Sequence, residues 1–543
     1  MKVMGGRTVD ALLRAMAEER AGQDAVRCDG DWLTFGDLDA AAERVASGLA
    51  ARHAAKGERV AIISTNRQEM VELLFGGARR GVVQVPLNPY LKGEFLRYQL
   101  SDSGARVLVT DAAGWRNAEP ILAGTEIQMV VLLDDVDAGA APRVEVLSYQ
   151  ELCSVGRPGQ AHEAVEAGDL VSILYTSGTT GMPKGCMLSN GYYTHVPTIW
   201  QNAGWILPDD RWFSAAPLFH AAGQLFQLIP CVAIGCSAHF EASFHASTYM
   251  QQAKEAEATL IGGAGSMAAA ILAQPPSPAD AGYSFRLASW NALDPDRQVE
   301  FERRFGTPVC CENYGQTECA TAAIIPLAEA GHRRTMGKAA PAYEIRVVDD
   351  DDREVPAGET GEMVIRPREP ETMFQGYWRK PEETLATFRN LWHHTGDYVV
   401  MDPQGRLTFI DRKKDALRRR GENVSAIEVE AAILRCPGVA DVAVCAVPSI
   451  MGEDEIKACI VAQGGTPPGP AALFEFFRDN LPYYAIPRYV QFRTGLPLTP
   501  TGKIMKHVLR EEGVSGDIID LDALGLTVPK QDRRTKTPKD YRG

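Results

Sequence analysis

The sequence lacks several features that would have assigned it to a simple class. Its eleven cysteines include no CxxC pair, and their spacing matches no zinc template. No apolar run reaches the length of a transmembrane helix, and residues 1–7 contain no apolar signal core. Positive charge is in deficit, with a net charge of -14, which argues against non-specific binding of nucleic acid. We therefore expect a cytoplasmic protein with reduced thiols that binds neither nucleic acid nor a membrane.

The length and the alternation of patterns predict a multidomain α/β protein. A chain of 543 residues is too long for one hydrophobic core and suggests roughly two to four domains. Apolar residues at helical spacing predict helices over 9–20 and 35–52. Short β-branched runs predict strands over 59–63, 105–109 and 129–133, and the alternation favours a largely parallel sheet.

The second half of the sequence predicts a β-rich region and then a smaller α/β unit. The smaller unit is predicted from residue 413 to about 510. The four aspartates at 349–352 are interpreted as a solvated hairpin tip rather than a metal site. The strands of the β-rich region are predicted over 344–348, 361–366, 398–401 and 407–410.

One glycine-rich stretch, YTSGTTGMPKG at residues 175–185, is typical of a phosphate-binding loop. It follows the apolar run 170–174, which predicts a buried strand. Glycines let backbone N–H groups turn toward an anion, hydroxyl groups add donors, and Lys184 adds a mobile positive charge. The spacing of a Walker P-loop is absent, so a P-loop NTPase is excluded. The alternative interpretation is an ordinary surface turn between strands.

Further motifs follow in order along the chain. With the phosphate loop they resemble the motifs of the adenylate-forming superfamily, which comprises acyl-CoA synthetases, adenylation domains and luciferases. Within it, the sequence resembles the carnitine-CoA ligase-like and fatty acyl-CoA ligase branches. The stretches at 361–366 and 376–378 are interpreted as structural, with little chemistry. The motifs are PLFHAAG at 217–223, YGQTE at 314–318, GEMVIR at 361–366, GYW at 376–378, HTGD at 394–397, DRKKD at 411–415, GENV at 421–424 and PLTPTGK at 497–503.

The resemblance implies a set of nucleotide-binding residues. Tyr314 would stack on the adenine, and Asp397 would accept both ribose hydroxyls, because a carboxylate offers only acceptors. Thr317 would contact the α-phosphate. Glu318 and Thr180 would hold Mg²⁺, a hard cation that prefers oxygen ligands. The residues expected to bind the nucleotide are Thr176, Ser177, Gly178, Thr179, Thr180, Lys184, Trp290, Asn291, Asn313, Tyr314, Gly315, Asp397 and Arg412.

The resemblance also implies catalytic, acyl-binding and CoA-binding residues. Lys503 would reach the acyl carboxylate and the α-phosphate. Lys414 would be the hinge on which the small domain rotates between the two half-reactions. The expected catalytic set is Lys503, Glu318, His220 and Thr317. The acyl pocket is expected at His220, Ala221, Gly223, Gly263 and Gly315, and the CoA site at Arg418, Arg420, Gly421 and Glu422.

The fold implied by the resemblance is α/β. It has a large N-terminal domain of layered α/β subdomains with a β-rich third subdomain, and a small, mobile C-terminal α+β lid. The predicted bounds are 1–411 for the N-terminal domain, 412–414 for the hinge, 415–511 for the lid and 512–543 for a polar tail.

The implied activity is that of an AMP-forming acyl-CoA ligase. A carboxylic acid and MgATP would give an acyl-adenylate and pyrophosphate, and CoA would then take the acyl group and release AMP. The roughly 40 residues after Lys503 are expected to be too few for a built-in carrier domain of about 80 residues. A free-standing carrier protein stays an alternative acceptor. A homodimer and a partner adenylating enzyme are the other partners considered.

The expected acid is medium-sized or bulky and apolar. Small residues at 215–216, 221–223 and 262–265 lie near the expected pocket, and small linings leave volume. No cationic or acidic selector is evident in these stretches.

Two departures from the superfamily pattern leave alternatives open. The chain reads SWNAL at 289–293, where many members have a small-residue GGAP or GAAP stretch that forms a wall of the adenine site. If Trp290 fills that site, only the thioester half-reaction on an acyl-adenylate supplied by a partner is left. If Trp290 points into the core, ATP can bind. The arginines at 418–420 are either a solvated strand edge or a contact for the CoA 3′-phosphate.

A non-catalytic adenylate-binding scaffold is the alternative from another class of protein. The presence of every charged residue that the superfamily uses argues against it. These residues are Lys184, Glu318, Asp397, Arg412 and Lys503.

Overall fold

The chain forms two compact units. The structure is a computed structural model that describes residues 7–28, 30–136, 144–157, 159, 163–176, 182–413, 417–419, 422–424, 426–448, 454–481, 485–498 and 504–528. The first unit comprises Met1–Arg346, Val364–His393 and Asp402–Thr408. The second comprises Val347–Met363, His394–Met401 and Phe409–Gly543.

A sheet of seven strands forms part of the first unit. All neighbouring strands pair in parallel except the last two, which are antiparallel. Strands covered on both faces are typically apolar throughout, and Met129–Leu132 is buried at every position. The strand order is Glu145–Ser148, Met129–Leu132, Val107–Thr110, Arg59–Ile63, Val83–Leu87, Leu170–Thr176 and Lys184–Ser189.

A second sheet of the first unit has six strands, again parallel except for its last pair. Because the carboxyl ends of parallel strands meet at one edge, Ser214, Ala264 and Asn291 lie along the same edge. The order is Leu287–Asn291, Leu260–Ala264, Arg211–Ser214, Ser237–Phe240, Asp24–Arg27 and Leu33–Thr34. A small antiparallel sheet joins Asn313–Tyr314, Ala323–Ile324 and Lys338–Ala339.

Several helices of the first unit begin at a side-chain cap. Thr34 caps Phe35–Ala51 by accepting the N–H of Asp37, whose carboxylate accepts the N–H of Thr34 in return. Among the described residues, no helix is long and apolar enough to span a bilayer. The α-helices are Val9–Arg20, Phe35–Ala51, Gln68–Arg80, Gly93–Ser103, Ala112–Ala118, Tyr149–Ser154, Asn190–Ala203, Ala221–Gly223, Ile229–Ile234, Tyr249–Glu255, Gly265–Leu272, Pro295–Phe305 and Pro381–Thr387.

Four strands contribute residues to both units: Tyr343–Val348, Thr360–Pro367, His393–Met401 and Leu407–Arg412. They confirm the predicted β-rich region. The aspartates at 349–352 lie at a hairpin tip, where the Asp349 N–H donates to the Arg353 carbonyl at 2.9 Å. The tip is solvated only in part, because the side chain of Asp352 is 12% exposed and lies 3.7 Å from His394. No group of three potential metal ligands occurs among the residues that the structure describes.

The second unit has its own sheet and core. Strands Val439–Pro448, Asp454–Ala462, Tyr489–Arg493 and Ile518–Asp520 occur in this order, with the middle pair parallel and the outer pairs antiparallel. Leu521 is 1% exposed in the same core, so the sheet and core continue beyond residue 511, the predicted end of the lid. The unit also contains the strand pair Leu417–Arg419 and Glu422–Val424 and the helices Ala426–Ile433, Pro470–Asn480 and Lys506–Glu511.

The architecture confirms the predicted α/β class with layered sheets. The helices Val9–Arg20 and Phe35–Ala51 and the strand Arg59–Ile63 match their predicted bounds to within one residue. The predicted boundary at residues 411–412 stays a prediction, and Lys414 lies outside the described residues.

Candidate active site

The two ends of the glycine-rich stretch lie opposite each other on paired strands. Thr176, which ends the strand Leu170–Thr176, pairs with Lys184 in the antiparallel register. The Thr176 hydroxyl donates to the Lys184 carbonyl at 3.3 Å. The predicted strand before the loop is therefore present. The predicted ligands Ser177, Gly178, Thr179 and Thr180 lie outside the described residues.

The side chains of Lys184 and Glu318 both contact Tyr377. The Tyr377 hydroxyl donates to Glu318 Oε1 at 2.8 Å, and Lys184 Nζ lies 4.9 Å from the centroid of the Tyr377 ring. Lys184 also forms a 3.0 Å ion pair with Glu383, on the helix Pro381–Thr387. The predicted phosphate-binding cation and the predicted metal-binding carboxylate are thus brought together.

Two uncharged groups lie beside Glu318. Burial, and then the charge of Glu318 beside it, raises the pKa of the Cys186 thiol well above its usual value. Burial and the same carboxylate also raise the pKa of Tyr377. Both groups therefore stay protonated at neutral pH, and the Tyr377 hydroxyl donates to the carboxylate. Among the described residues, the ion pair of Lys184 is with Glu383, so Glu318 does not share its carboxylate with that cation.

The backbone around Thr317 and Glu318 is held on two sides. The Tyr192 hydroxyl donates to the Thr317 carbonyl at 3.0 Å and accepts the N–H of Ala320. The Phe374 N–H donates to the Glu318 carbonyl at 3.1 Å. These contacts fix the main chain from which both predicted site residues project.

The neighbouring residues Asn313, Tyr314 and Gly315 are half-buried. Within the described part of the chain, the buried Nδ2 of Asn313 has no hydrogen-bond partner, which makes it a donor that is free for a ligand. A Cβ at Gly315 would lie 2.6 Å from the Thr321 nitrogen and 3.1 Å from the Phe226 ring, so only glycine fits.

Trp290 points into the core of the first unit. It is fully buried and packs against Tyr249 and Phe301, with ring centroids 5.7 and 5.6 Å away. Its assignment as a nucleotide-binding side chain is therefore corrected, because an indole buried among aromatic rings cannot face the adenine. Asn291 ends the same strand and is half-buried. The next residue, Ala292, has φ of 60°, a backbone conformation that favours glycine.

His220 begins the short helix Ala221–Gly223. The Ala222 N–H donates to His220 Nδ1 at 3.2 Å, so the proton of the neutral ring is on Nε2. A Cβ at Gly223 would lie 2.4 Å from the Pro217 carbonyl oxygen, which explains the glycine by close packing. A π-helical turn, Gln224–Leu228, follows, a feature that is frequent at functional sites.

The segment that carries His220 is anchored by two buried amides. Asn66 Oδ1 accepts the Leu218 N–H at 2.7 Å, and Asn66 Nδ2 donates to the Ala216 carbonyl at 2.9 Å. Gln224 Nε2 donates to the Leu218 carbonyl at 2.6 Å. The two Asn66 contacts join elements far apart in sequence.

The small residues of the expected acyl pocket do not leave open volume. A Cβ at Gly263 would lie 2.8 Å from the Met267 sulfur, and the Phe226 ring occupies the corresponding place at Gly315. The glycines permit close approach of larger apolar side chains. The volume argument from small residues is therefore corrected, and Ala221 is itself buried.

Two predicted ribose-binding residues meet in the second unit. Arg412 Nε lies 2.8 Å from Asp397 Oδ1, and Asp397 is 1% exposed. Lys503, Lys414, Arg420 and Gly421 lie outside the described residues, and Arg418 and Glu422 are described only as members of two paired strands.

Sequence reasoning missed several residues that contact the site. The hydrogen-bond donor to Glu318, the thiol beside that carboxylate, the partner of Lys184 and the amides that anchor the His220 segment carry no recognisable motif of their own. Only Tyr377 lay within a motif, and that motif was interpreted as structural. The missed residues are Asn66, Cys186, Gln224, Tyr377 and Glu383.

Largely parallel sheets and a glycine-rich stretch after a buried strand are typical of enzymes that bind nucleoside phosphates. A family model described as AMP-binding enzyme matches residues 13–378, and one described as AMP-binding enzyme C-terminal domain matches residues 428–503. The first match covers more than half of the chain, which therefore belongs to the AMP-binding enzyme family of AMP-forming acid–thiol ligases.

Relatives of known name agree with this family. The crotonobetaine/carnitine–CoA ligase of Salmonella paratyphi A is 29% identical over 530 residues, which cover 94% of this chain and 100% of the relative. ATP-bound MatB from Rhodopseudomonas palustris has a TM-score of 0.82 at 27% identity, covering 94% of this chain and 99% of MatB. A benzoate CoA ligase from Burkholderia xenovorans LB400 has a TM-score of 0.82 at 26% identity, with 93% and 99% covered.

Proposed function

We propose that this enzyme catalyses both half-reactions on a medium-sized or bulky apolar acid, with MgATP and CoA as co-substrates. A carboxylate oxygen attacks the α-phosphorus, the α–β phosphoanhydride bond breaks, and pyrophosphate leaves. The CoA thiolate then attacks the acyl carbon, and AMP leaves with the former carboxylate oxygen. The intermediate acyl-adenylate supplies the good leaving group that a free carboxylate lacks.

The observation that carries the proposal is the meeting of Lys184 and Glu318 on Tyr377. Lys184 offsets negative charge on the phosphates, which is where charge concentrates during phosphoryl chemistry. Glu318 would hold Mg²⁺, which when bound neutralises charge on the phosphate oxygens. Thr317 and Tyr314, on the same fixed backbone, are proposed to contact the α-phosphate and the adenine.

The apolar character of the acid, as distinct from its size, is supported by the side chains that border the glycines. The half-buried Phe226 ring and Met267 thioether lie against Gly315 and Gly263, and apolar walls favour an apolar acyl group. His220, with its proton on Nε2, is proposed to line the pocket on the carboxylate side.

The alternative that the enzyme performs only the thioester half-reaction was based on the bulk of Trp290, and the structure removes that basis. Trp290 is buried among core aromatic residues, so its bulk does not argue against ATP binding. We propose that Lys503 contacts the acyl carboxylate and the α-phosphate during adenylation, the first step, and that the lid then turns on Lys414 before CoA binds for the second step. The proposed domain bounds are those predicted from the sequence, with the lid extended to include Ile518–Asp520 and Leu521.

The proposal is tested by measuring the two half-reactions separately. Pyrophosphate release is followed with ATP and a panel of acetate, propionate, hexanoate, octanoate, benzoate and carnitine. Thioester formation is then followed from synthetic acyl-adenylates and CoA. We expect activity in both assays, with a preference for the larger apolar acids. Glu318→Ala should abolish the first activity, and Glu329→Ala, at an exposed glutamate, serves as the matched control.

The outcomes separate the alternatives. Thioester formation without pyrophosphate release would mean that the enzyme uses an adenylate supplied by a partner. Acetate or propionate as the best substrate would contradict the proposed acid class. Absence of both activities across the panel, with measurable binding of an acyl-adenylate, would favour the non-catalytic scaffold.

A further inference from the structure

Tyr377 contacts both charged groups of the candidate site. Its hydroxyl donates to Glu318 Oε1 at 2.8 Å, and its ring face lies 4.9 Å from Lys184 Nζ. The residue is 8% exposed, and the Phe374 ring packs against it with centroids 5.1 Å apart. One rigid side chain therefore has one polar atom and one aromatic face, each directed at a different charge.

The kind of donor matters for what Glu318 can do. A cationic partner such as arginine would neutralise the carboxylate and compete with a metal ion for it. A phenol hydroxyl orients the carboxylate and leaves its charge and its remaining lone pairs available. The hydrogen bond from Tyr377 therefore holds Glu318 in place without putting a positive charge beside the carboxylate.

The Tyr377 side chain contacts Lys184 through its ring and not through its hydroxyl. The ring supports the ammonium group through a cation–π contact, and Glu383 pairs with it at 3.0 Å. Both Lys184 and Glu383 are partly exposed, so the ion pair can exchange for a phosphate at small cost. The ring contact does not depend on which anion the ammonium pairs with.

We propose that Tyr377 is a positioning residue that orients Glu318 for the metal ion of MgATP and supports Lys184 for the phosphates. This inference rests on the proposed function, because it assumes that the enzyme binds MgATP. It assigns a role to the GYW stretch at 376–378, which sequence reasoning treated as structural.

Two variants separate the two contacts. Tyr377→Phe removes the hydrogen bond to Glu318 and keeps the ring beside Lys184, whereas Tyr377→Leu removes both. Tyr149→Phe is the matched control, because the Tyr149 hydroxyl donates at 2.7 Å to Glu72, a carboxylate in another part of the first unit. Binding of α,β-methylene-ATP is measured by calorimetry with and without Mg²⁺, and unfolding by urea reports on stability.

Wild-type enzyme should bind the analogue more tightly when Mg²⁺ is present. Tyr377→Phe should reduce this enhancement about tenfold and leave binding without Mg²⁺ unchanged, because a hydrogen bond to a charged group is lost. Tyr377→Leu should also weaken binding without Mg²⁺ by about threefold. In a Glu318→Gln background, Tyr377→Phe should change the enhancement less than about twofold. Tyr149→Phe should leave the enhancement at the wild-type value.

The inference is overturned if Tyr377→Phe shows the wild-type enhancement, or weakens binding equally with and without Mg²⁺. The second result would indicate a merely structural role, as would an equal effect from Tyr149→Phe. Failure of the wild-type enzyme to bind the analogue under either condition would overturn the proposed use of ATP together with this inference. If the wild-type enzyme binds the analogue and Tyr377→Phe shows the same enhancement by Mg²⁺ as the wild type, the inference alone is overturned.

Discussion

Two carboxylates that the sequence predicts as ligand-binding residues have opposite surroundings. Glu318, in the first unit, is half-buried and accepts a hydrogen bond from the neutral Tyr377 hydroxyl. Asp397, in the second unit, is 1% exposed and forms a 2.8 Å ion pair with Arg412. A carboxylate that is to hold a cation must keep its charge, whereas one that is to accept uncharged hydroxyl groups can be paired and oriented by an arginine. The difference follows the two proposed ligands, a metal ion and a ribose.

The comparison is tested most strongly by neutralising Glu318. Glu318→Gln keeps an acceptor for the Tyr377 hydroxyl and removes the charge. We expect adenylation to fall by about 10²–10³-fold, because one electrostatic contact to the reacting phosphates is lost. The measurement is pyrophosphate release, with thioester formation from a preformed adenylate as the internal control. An equal loss in both assays would contradict a role specific to MgATP.

Glu362 extends the comparison to a second cation-held carboxylate of the second unit. It accepts from His394 at 3.1 Å and from Lys413 at 3.0 Å. Burial opposes ionisation, but these bonds lower the pKa of Glu362 from 4.5 to about 2. Because the folded-state pKa lies below the unfolded value, this stabilisation is present above about pH 4.5 and is lost as the pH falls toward 2.

Glu362→Gln should therefore lower the free energy of unfolding by about 3 kcal/mol at pH 7 and by only about 1 kcal/mol at pH 3. Urea unfolding of the variant and the wild type across this range measures the difference. Glu359→Gln, at an exposed glutamate of the same unit, is the control. A difference that does not change with pH would show that the bonds to Lys413 and His394 do not stabilise the ionised carboxylate.

Asp397→Asn tests the other carboxylate of the comparison, the buried one that is paired with an arginine. It should lower the free energy of unfolding by about 1–2 kcal/mol, since the charge-assisted bond to Arg412 becomes a neutral one at a buried position. Urea unfolding measures this loss. Asp479→Asn, which breaks an exposed pair with Arg478, is the control and should have little effect. Equal losses from the two variants would mean that burial of Asp397 contributes nothing.

The smallest effect is expected at Glu383, the exchangeable partner of Lys184. Glu383→Gln should tighten binding of Mg²⁺-free ATP analogue about two- to fivefold, because Lys184 no longer has to leave an ion pair to reach phosphate. Calorimetry measures the dissociation constant. Weaker binding in the variant would indicate that Glu383 helps to place Lys184 for the phosphates.

Much of the fold could be predicted because it depends on local pattern. The apolar run before the phosphate loop forms the buried strand Leu170–Thr176, and the two amphipathic stretches near the N-terminus form Val9–Arg20 and Phe35–Ala51. Periodicity, capping residues and turn residues lie within a few positions of the element that they specify. The prediction for the end of the lid stops short of Ile518–Asp520, because that strand depends on pairing with Tyr489–Arg493.

The site was predictable only where its residues lie within motifs. The direction of Trp290 could not be deduced, since it depends on Tyr249 and Phe301, which come from other elements. The role of Gly263 was misjudged for a similar reason, because the space that its missing Cβ leaves is taken by Met267. A motif names the residue but does not show what packs against it.

The sequence by itself determined the order of the motifs, the helices and strands that carry them, and hence the family. These features depend on short-range periodicity and on residue types at fixed spacing. The tertiary structure alone decided that Tyr377 lies against both Glu318 and Lys184, and that Glu383 pairs with the same lysine. Such contacts join residues far apart in the chain, and only the packing of the folded elements brings them within hydrogen-bonding distance.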